Sequence, residues 1–266
     1  MDRCIACGRE LSGQGEICPE CQAQGHLRPT ATAARKPVLH EVTILFIGLN
    51  VLVFVLMVAF GASFTRPDGD TVLRWGANQG WSIFLGHQYW RLLMANYIHD
   101  GIVHLLINMY CLWGLGQLAE LFYSRRDYAL LYTYTGIAGS VLSVGLHPFW
   151  ATSVGASGAV FGVAGVLLTT LKYGHLPLPQ AARAALFKSI LQFAGINLVL
   201  GFFVLRVDNA GHLGGLLSGL LVGAVLGKRL DGTEASSDYR TRAWVGLWVG
   251  LVAVFWMMRV WRIGLA

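Results

Sequence analysis

Residues 210–227 read Ala-Gly-His-Leu-Gly-Gly-Leu-Leu-Ser-Gly-Leu-Leu-Val-Gly-Ala-Val-Leu-Gly, and glycine returns at Gly211, Gly215, Gly219, Gly223 and Gly227. A period of four keeps these glycines on one face of an α-helix, where the missing side chains let another backbone come very close. The remaining residues are almost all apolar, as in a helix that faces lipid. One imidazole, His212, stands near the start. The stretch reads as a membrane helix with a tight packing partner and a polar group at one end.

The whole chain fits that reading. Of 266 residues, 55% are hydrophobic and 13% charged, against about 25% charged in an average soluble domain. Seven apolar blocks approach the roughly 17–25 residues that span hydrocarbon. They run Val42–Ser63, Ile102–Phe122, Tyr128–Leu146, Ser153–Tyr173, Ser189–Leu205, Ala210–Leu226 and Ala243–Val260. The expected fold is therefore an all-α, multi-pass membrane protein. No basic start leads at once into an apolar core, so no cleaved signal peptide is expected.

Lys and Arg set the orientation. With the N-terminus inside, fourteen of the twenty fall on inner segments, and Arg66, Arg74, Arg91, Arg206, Arg259 and Arg262 lie outside. This asymmetry predicts a cytoplasmic N-terminus and an external C-terminus in the cell membrane. Basic loops facing anionic lipid account for the net charge of +6, and no nucleic-acid-binding motif accompanies it.

The first residues differ in kind. Cys4-Ile5-Ala6-Cys7 and Cys18-Pro19-Glu20-Cys21 form two C-x-x-C knuckles with ten residues between them. Four thiolates at this spacing can hold one structural zinc in a small ribbon over residues 1–25. Two disulfides are the alternative, which a reducing cytosol disfavours. Four sulfur ligands leave no open position for chemistry. Residues 26–40 read as a linker, and Cys111, inside the second span, as a small buried hydrophobe.

Polar groups inside spans are costly, on the order of 2.5–3.5 kcal/mol for a charged one, and need a reason. The second span holds His104, Asn108 and Glu120, with His99 just ahead. His104 and Asn108, four apart, share a face and can both donate into the bundle. Glu120 is expected to be a structural acceptor near Arg125 and Arg126. Gly158, Gly162 and Gly165 on the fourth span offer a smooth surface for the glycine face of the sixth.

Ser157, in Val154-Gly155-Ala156-Ser157-Gly158, opens two readings. Gly, Ala and Ser are ordinary occupants of membrane helix contacts. However, spans four and six both start on the outer side, which puts Ser157 and His212 at matching shallow depth. A serine hydroxyl becomes a nucleophile when a neighbouring base takes its proton. His212 can be that base, with His104, Asn108 and the Ser157 amide as oxyanion donors. No carboxylate stands at a comparable depth to complete a triad, and Asp208 is expected in the loop. A transporter could also use intramembrane His, Asn and Glu, but would be expected to carry an internal repeat, and none is visible.

Taken together, these residues resemble the rhomboid family of intramembrane serine proteases. Trp90-Arg91 resembles the family's WR pair. His99-Asp100-Gly101-Ile102-Val103-His104-Leu105-Leu106-Ile107-Asn108 fits H-x-x-x-x-H-x-x-x-N, Gly155-Ala156-Ser157-Gly158 fits G-x-S-G, and Ala210-Gly211-His212 with its trailing glycines fits the histidine segment. The resemblance implies a six-helix core over residues 41–228; the loop and seventh apolar span of residues 229–266 follow that core as a departure from it. It implies Ser157 as nucleophile, His212 as general base, and His104 and Asn108 in the oxyanion hole. Arg91, His99 and Glu120 become structural. No catalytic cofactor is implied, and the partners are the bilayer and transmembrane protein substrates. One departure is Phe161, where many members have a tyrosine against the catalytic histidine.

Overall fold

The computed structural model describes residues 4, 9, 10, 20, 21, 40–174, 176, 178–203, 207–226 and 237–264. Residues Met1–Leu39 and His40–Ala266 form two separate units. In the larger unit the helices are α1 (Glu41–Ala59), α2 (Gly69–Trp75), α3 (Arg91–Met94), α4 (Ile102–Phe122), α5 (Arg125–Leu146), α6 (Ser157–Tyr173), α7 (Gln180–Phe203), α8 (Asn209–Leu226) and α9 (Ser237–Gly264). Six of them, α1, α4, α5, α7, α8 and α9, are long and apolar enough to cross a membrane. At 17 residues, α6 is shorter and is the most enclosed, with fourteen consecutive residues from Gly158 to Leu171 buried.

The glycine stripe does what its period predicts. The most extensive helix pairing is α6 with α8. A Cβ added at Gly215 or Gly219 would strike the carbonyl oxygen of Gly158 or Gly162, and one at Gly165 would strike that of Leu216. Gly227 lies outside the described residues. A third helix shares the seam: a Cβ on Gly139 of α5 would sit 2.7 Å from the Gly211 oxygen.

Helix ends follow local chemistry. Ser124 caps α5 by accepting from the Asp127 amide at 3.1 Å, and Asp68 caps α2 by accepting from the Thr71 amide at 2.8 Å. Glu120 is an acceptor, as expected, but for α1 rather than for the arginines: Thr43 donates to it from its amide at 2.6 Å and its hydroxyl at 2.7 Å. Arg125 pairs with Glu41 at 2.8 Å.

Several span boundaries move: the first span ends at Ala59, not Ser63, and the third begins at Arg125, not Tyr128. The fourth begins at Ser157, not Ser153. Thr152–Ser153 form a strand, β2, antiparallel to β1 (Asn78–Gln79), and Gly155 has φ +120°, outside any helix. The fifth begins at Gln180, nine residues before Ser189, because Arg183 rides on the helix and donates to the Leu171 and Lys172 carbonyls at the end of α6. Its expected end at Leu205 lies outside the described residues. The last runs Ser237–Gly264, since flanking arginines find partners on α5 and on the loop that follows it.

The connection between α1 and α4 is folded throughout. Arg91 is buried within it, donating to Gln88 Oε1 at 2.6 Å and to the Leu73 and Ala77 carbonyls at 2.6 and 3.2 Å. The structural role expected for Arg91 matches these bonds. In the smaller unit, Cys4 is buried and donates its amide to the Arg9 carbonyl at 2.7 Å. Cys21 is half-buried, Arg9 pairs with Glu20, and Cys7 and Cys18 lie outside the described residues. So does the expected linker, apart from His40.

Candidate active site

Ser157 is the first residue of α6 and His212 the fourth of α8. The close α6–α8 approach brings His212 Nε2 to 2.8 Å from Ser157 Oγ. Phe161, one turn below Ser157, stacks on the imidazole at 4.3 Å between ring centroids and 13° between planes. The ring is thus held in plane from one side and bonded to the hydroxyl from its edge. His212 Nδ1 is buried with no hydrogen-bond partner among the described residues. Among the described residues no carboxylate bonds the imidazole that meets Ser157.

Asp208 explains why. It is positioned as the helix cap of α8: its Oδ1 accepts from the Gly211 amide at 2.8 Å, and its Oδ2 accepts from the Ser153 hydroxyl. His147 Nδ1 lies 3.5 Å from Oδ1. The carboxylate is therefore engaged by the chain segments that carry Ser157 and His212, and not by the His212 imidazole. The sequence D-N-A-G-H placed Asp208 in the loop; an acidic residue three before a helical amide is the signal for a cap.

His104 and Asn108 face the same space. A Cβ on Gly155 would lie 2.8 Å from His104 Nε2 and 3.8 Å from Asn108 Nδ2. That clearance, with φ +120°, is the physical requirement for glycine two residues before Ser157. The Asp100 amide donates to His104 Nδ1 at 3.3 Å. The proton of a neutral His104 therefore sits on Nε2, which becomes a donor into the site. Asn108 Nδ2 gives one of its two hydrogens to the His104 carbonyl at 2.9 Å, leaving the second to point elsewhere. Ser157 at a helix N-terminus adds an amide and the positive end of the helix dipole.

His99 is fully buried, 5.1 Å ring to ring from His104, and the Ala156 amide donates to its Nε2 at 3.5 Å. Burial, reinforced by His104, holds its pKa down to about 3, so it is a neutral acceptor that anchors the turn before Ser157. This agrees with its expected structural role.

Ser157, His212, Phe161, His104 and Asn108 line a cavity of about 520 Å³ between α4, α6, α7 and α8. Its walls include Phe193, Asn197 and Leu200 of α7, which the sequence reading did not single out. Cys111 is half-buried, packed against the core on one side and lining the same wall on the other. Among the described residues no group of three or more His, Cys, Asp or Glu side chains could hold a metal ion.

Comparison with known proteins agrees with the geometry. The rhomboid domain family matches residues 86–229. The chain is 37% identical over 185 residues to Rhomboid protease GluP of Bacillus subtilis, covering 70% of this chain and 34% of that protein. It is 38% identical over 177 residues to RHOMBOID-like protein 2 of Arabidopsis thaliana, covering 66% and 55%. To Rhomboid-like protease 3 of Toxoplasma gondii it is 27% identical over 169 residues, covering 64% and 63%. The chain thus spans from about a third to just under two thirds of the length of these relatives.

Proposed function

The chain belongs to the rhomboid family, and on that premise we propose that it is an intramembrane serine endopeptidase that cuts transmembrane proteins in or near their membrane segment. The observation that carries the proposal is the 2.8 Å contact between His212 Nε2 and Ser157 Oγ inside a cavity that also presents His104 and Asn108. Ser157 attacks the scissile carbonyl as His212 takes its proton. The developing oxyanion is met by His104 Nε2–H, Asn108 Nδ2–H and the Ser157 amide. His212 then protonates the leaving amine, and a water activated by the same nitrogen releases the acyl group. Substrate segments that unwind easily are favoured, because a continuous helix keeps its carbonyls hydrogen-bonded.

Cleavage of a labelled transmembrane substrate by the reconstituted protein tests this. Ser157→Ala and His212→Ala each lower the rate by about 10⁴-fold or more. Undiminished cleavage by either variant would overturn the dyad.

The N-terminal unit is proposed as a structural zinc ribbon held by Cys4, Cys7, Cys18 and Cys21. What supports this reading is the paired C-x-x-C spacing, together with the burial of Cys4, whose amide donates to the Arg9 carbonyl. Zinc held there would tie the two knuckles together and supply no catalytic chemistry. Metal per chain, measured before and after Cys4→Ser with Cys7→Ser, should fall from about one to near zero. The Lys and Arg asymmetry supports a cytoplasmic N-terminus, a cell-membrane location and a site that opens on the outer side.

A further inference from the structure

Helix α9 lies beyond residues 86–229, the part matched by the family, and its sequence carries no group expected to act in the reaction. Its two ends nevertheless hold the core by quite different contacts. At the inner end, Arg240 pairs with Asp127 and the Trp244 indole donates to the same carboxylate at 3.0 Å. At the outer end, Arg262 Nη2 donates to the His147 carbonyl at 2.7 Å, and its guanidinium lies 4.6 Å over the Phe149 ring.

We propose that Arg262 is a positioning residue for the Ser157–His212 pair, holding through His147 and Phe149 the two segments that carry it. The proposal rests on the serine-protease reading above. His147, whose carbonyl Arg262 takes, lies 3.5 Å from Asp208, the cap of the helix that bears His212. Phe149, whose ring Arg262 covers, accepts from the Trp81 amide at 3.1 Å, which continues directly into the β1–β2 pairing at Thr152 and Ser153. From Ser153 the chain makes two further anchors, the Gly155 amide on the Ala95 carbonyl at 2.9 Å and the Ala156 amide on His99 Nε2 at 3.5 Å, and reaches Ser157. A single guanidinium thus grips residues 147 and 149, from which one set of contacts leads to the base and another to the nucleophile. Phe255, two turns earlier on the same face of α9, strengthens the grip by stacking on Phe84 at 5.8 Å and meeting Tyr89 edge-on at 5.5 Å. The inner end of α9 also touches the helix that bears His212, through the Tyr239 hydroxyl on the Val225 carbonyl at 3.1 Å, but at the far end of that helix from His212. Asp127 lies at the opposite end of α5 from His147.

Arg262→Leu and Trp244→Phe separate positioning from plain anchoring, because each loosens one end of the same helix. Arg262→Leu should lower kcat about tenfold and leave KM within about twofold, since a small misplacement of reacting groups acts on turnover. Labelling of Ser157 by a small fluorophosphonate should slow by the same factor, and amide exchange over residues 150–156 should accelerate by about tenfold. Trp244→Phe should lower the unfolding temperature without moving any of these three. If Arg262→Leu keeps wild-type kcat and labelling, or if both variants lose turnover in step with stability, the proposal is overturned. If the wild type itself neither cleaves nor reacts with the phosphonate, the protease reading fails and the positioning role falls with it. Unchanged exchange in Arg262→Leu sinks the proposal even where the wild type is active.

Discussion

Helices α6 and α7 border the same cavity and are built in opposite ways. In α6, residues Gly158 to Leu171 are all buried, and its glycines meet the backbone of α8 directly. In α7, 24 residues long, only Ile190 and Ala194 are buried, while Phe202 and Phe203 are 79% and 80% exposed. The wall that carries Ser157 is packed closely on all sides. The wall opposite is held by few side chains and turns an apolar surface outward. A site that must keep two atoms at hydrogen-bond distance, yet admit a bulky chain, needs one wall of each sort.

The largest effect should come from filling the rigid seam. In Gly219→Ala the new methyl group meets the Gly162 carbonyl oxygen, which is backbone and cannot rotate away. The helices must separate, at a cost of about 1–3 kcal/mol. Because His212 and Ser157 ride on those helices, cleavage should fall about 100-fold. Thermal unfolding and cleavage rate measured together check this, and a variant that keeps half of wild-type activity would break the comparison.

A milder change touches one contact of the same wall. Phe161→Leu removes the ring stacked on His212, a contact worth about 0.5–1.5 kcal/mol, with turnover expected to drop about tenfold. Phe161→Tyr keeps the ring face and should keep the activity. If the leucine variant turns over at the wild-type rate, the stack does not orient the base.

The turn ahead of α6 supplies a pH test. His99, ordinarily titrating near 6.5, is held down to about 3 first by burial and then by His104. Between those values the unfolded chain binds a proton that the folded chain refuses, so stability falls as the pH drops. The loss is up to about 1.4 kcal/mol per pH unit, or about 2 kcal/mol at pH 5, and it levels off below the folded value. His99→Gln should start less stable and show a flatter decline between pH 7 and 5. Parallel declines in the two proteins would assign the acid sensitivity to other groups.

The rigid wall was legible in the sequence and the compliant one was not. A period-four glycine row and the sequence G-A-S-G-A-V-F-G are local patterns, and backbone contact is their direct consequence, so the pairing of α6 with α8 could be read before any coordinates. The placement of Ser157 beside His212 followed from counting depth along two spans. What escaped notice depends on contacts between distant segments. The β1–β2 pairing joins residues 78–79 to 152–153, and two-residue strands leave no alternation to detect. Asp208 carried a local capping signal toward the Gly211 amide, but its second partner, the Ser153 hydroxyl, is 55 residues away and left no trace in the pattern. The start of α7 at Gln180 was hidden because Arg183 and Lys188 resemble loop residues, although a guanidinium at the end of α6 is well placed on a helix.

The smallest effect belongs to the loose wall and completes the glycine comparison. Gly195 lies in the middle of α7, and a Cβ added there meets nothing within 4 Å. Gly195→Ala therefore carries no steric cost, while alanine is intrinsically the better helix former by up to about 1 kcal/mol. In a helix already enclosed by lipid part of that gain is lost, so unfolding should shift upward by a few tenths of a kcal/mol at most. Cleavage should stay within about twofold of wild type, since neither the catalytic contact nor any described neighbour is disturbed. The same substitution at Gly219 and at Gly195 thus differs in sign for stability and by roughly two orders of magnitude for turnover. A Gly195→Ala protein as impaired as Gly219→Ala would mean that α7 packs closely during the reaction, and the contrast between the two walls would not survive it.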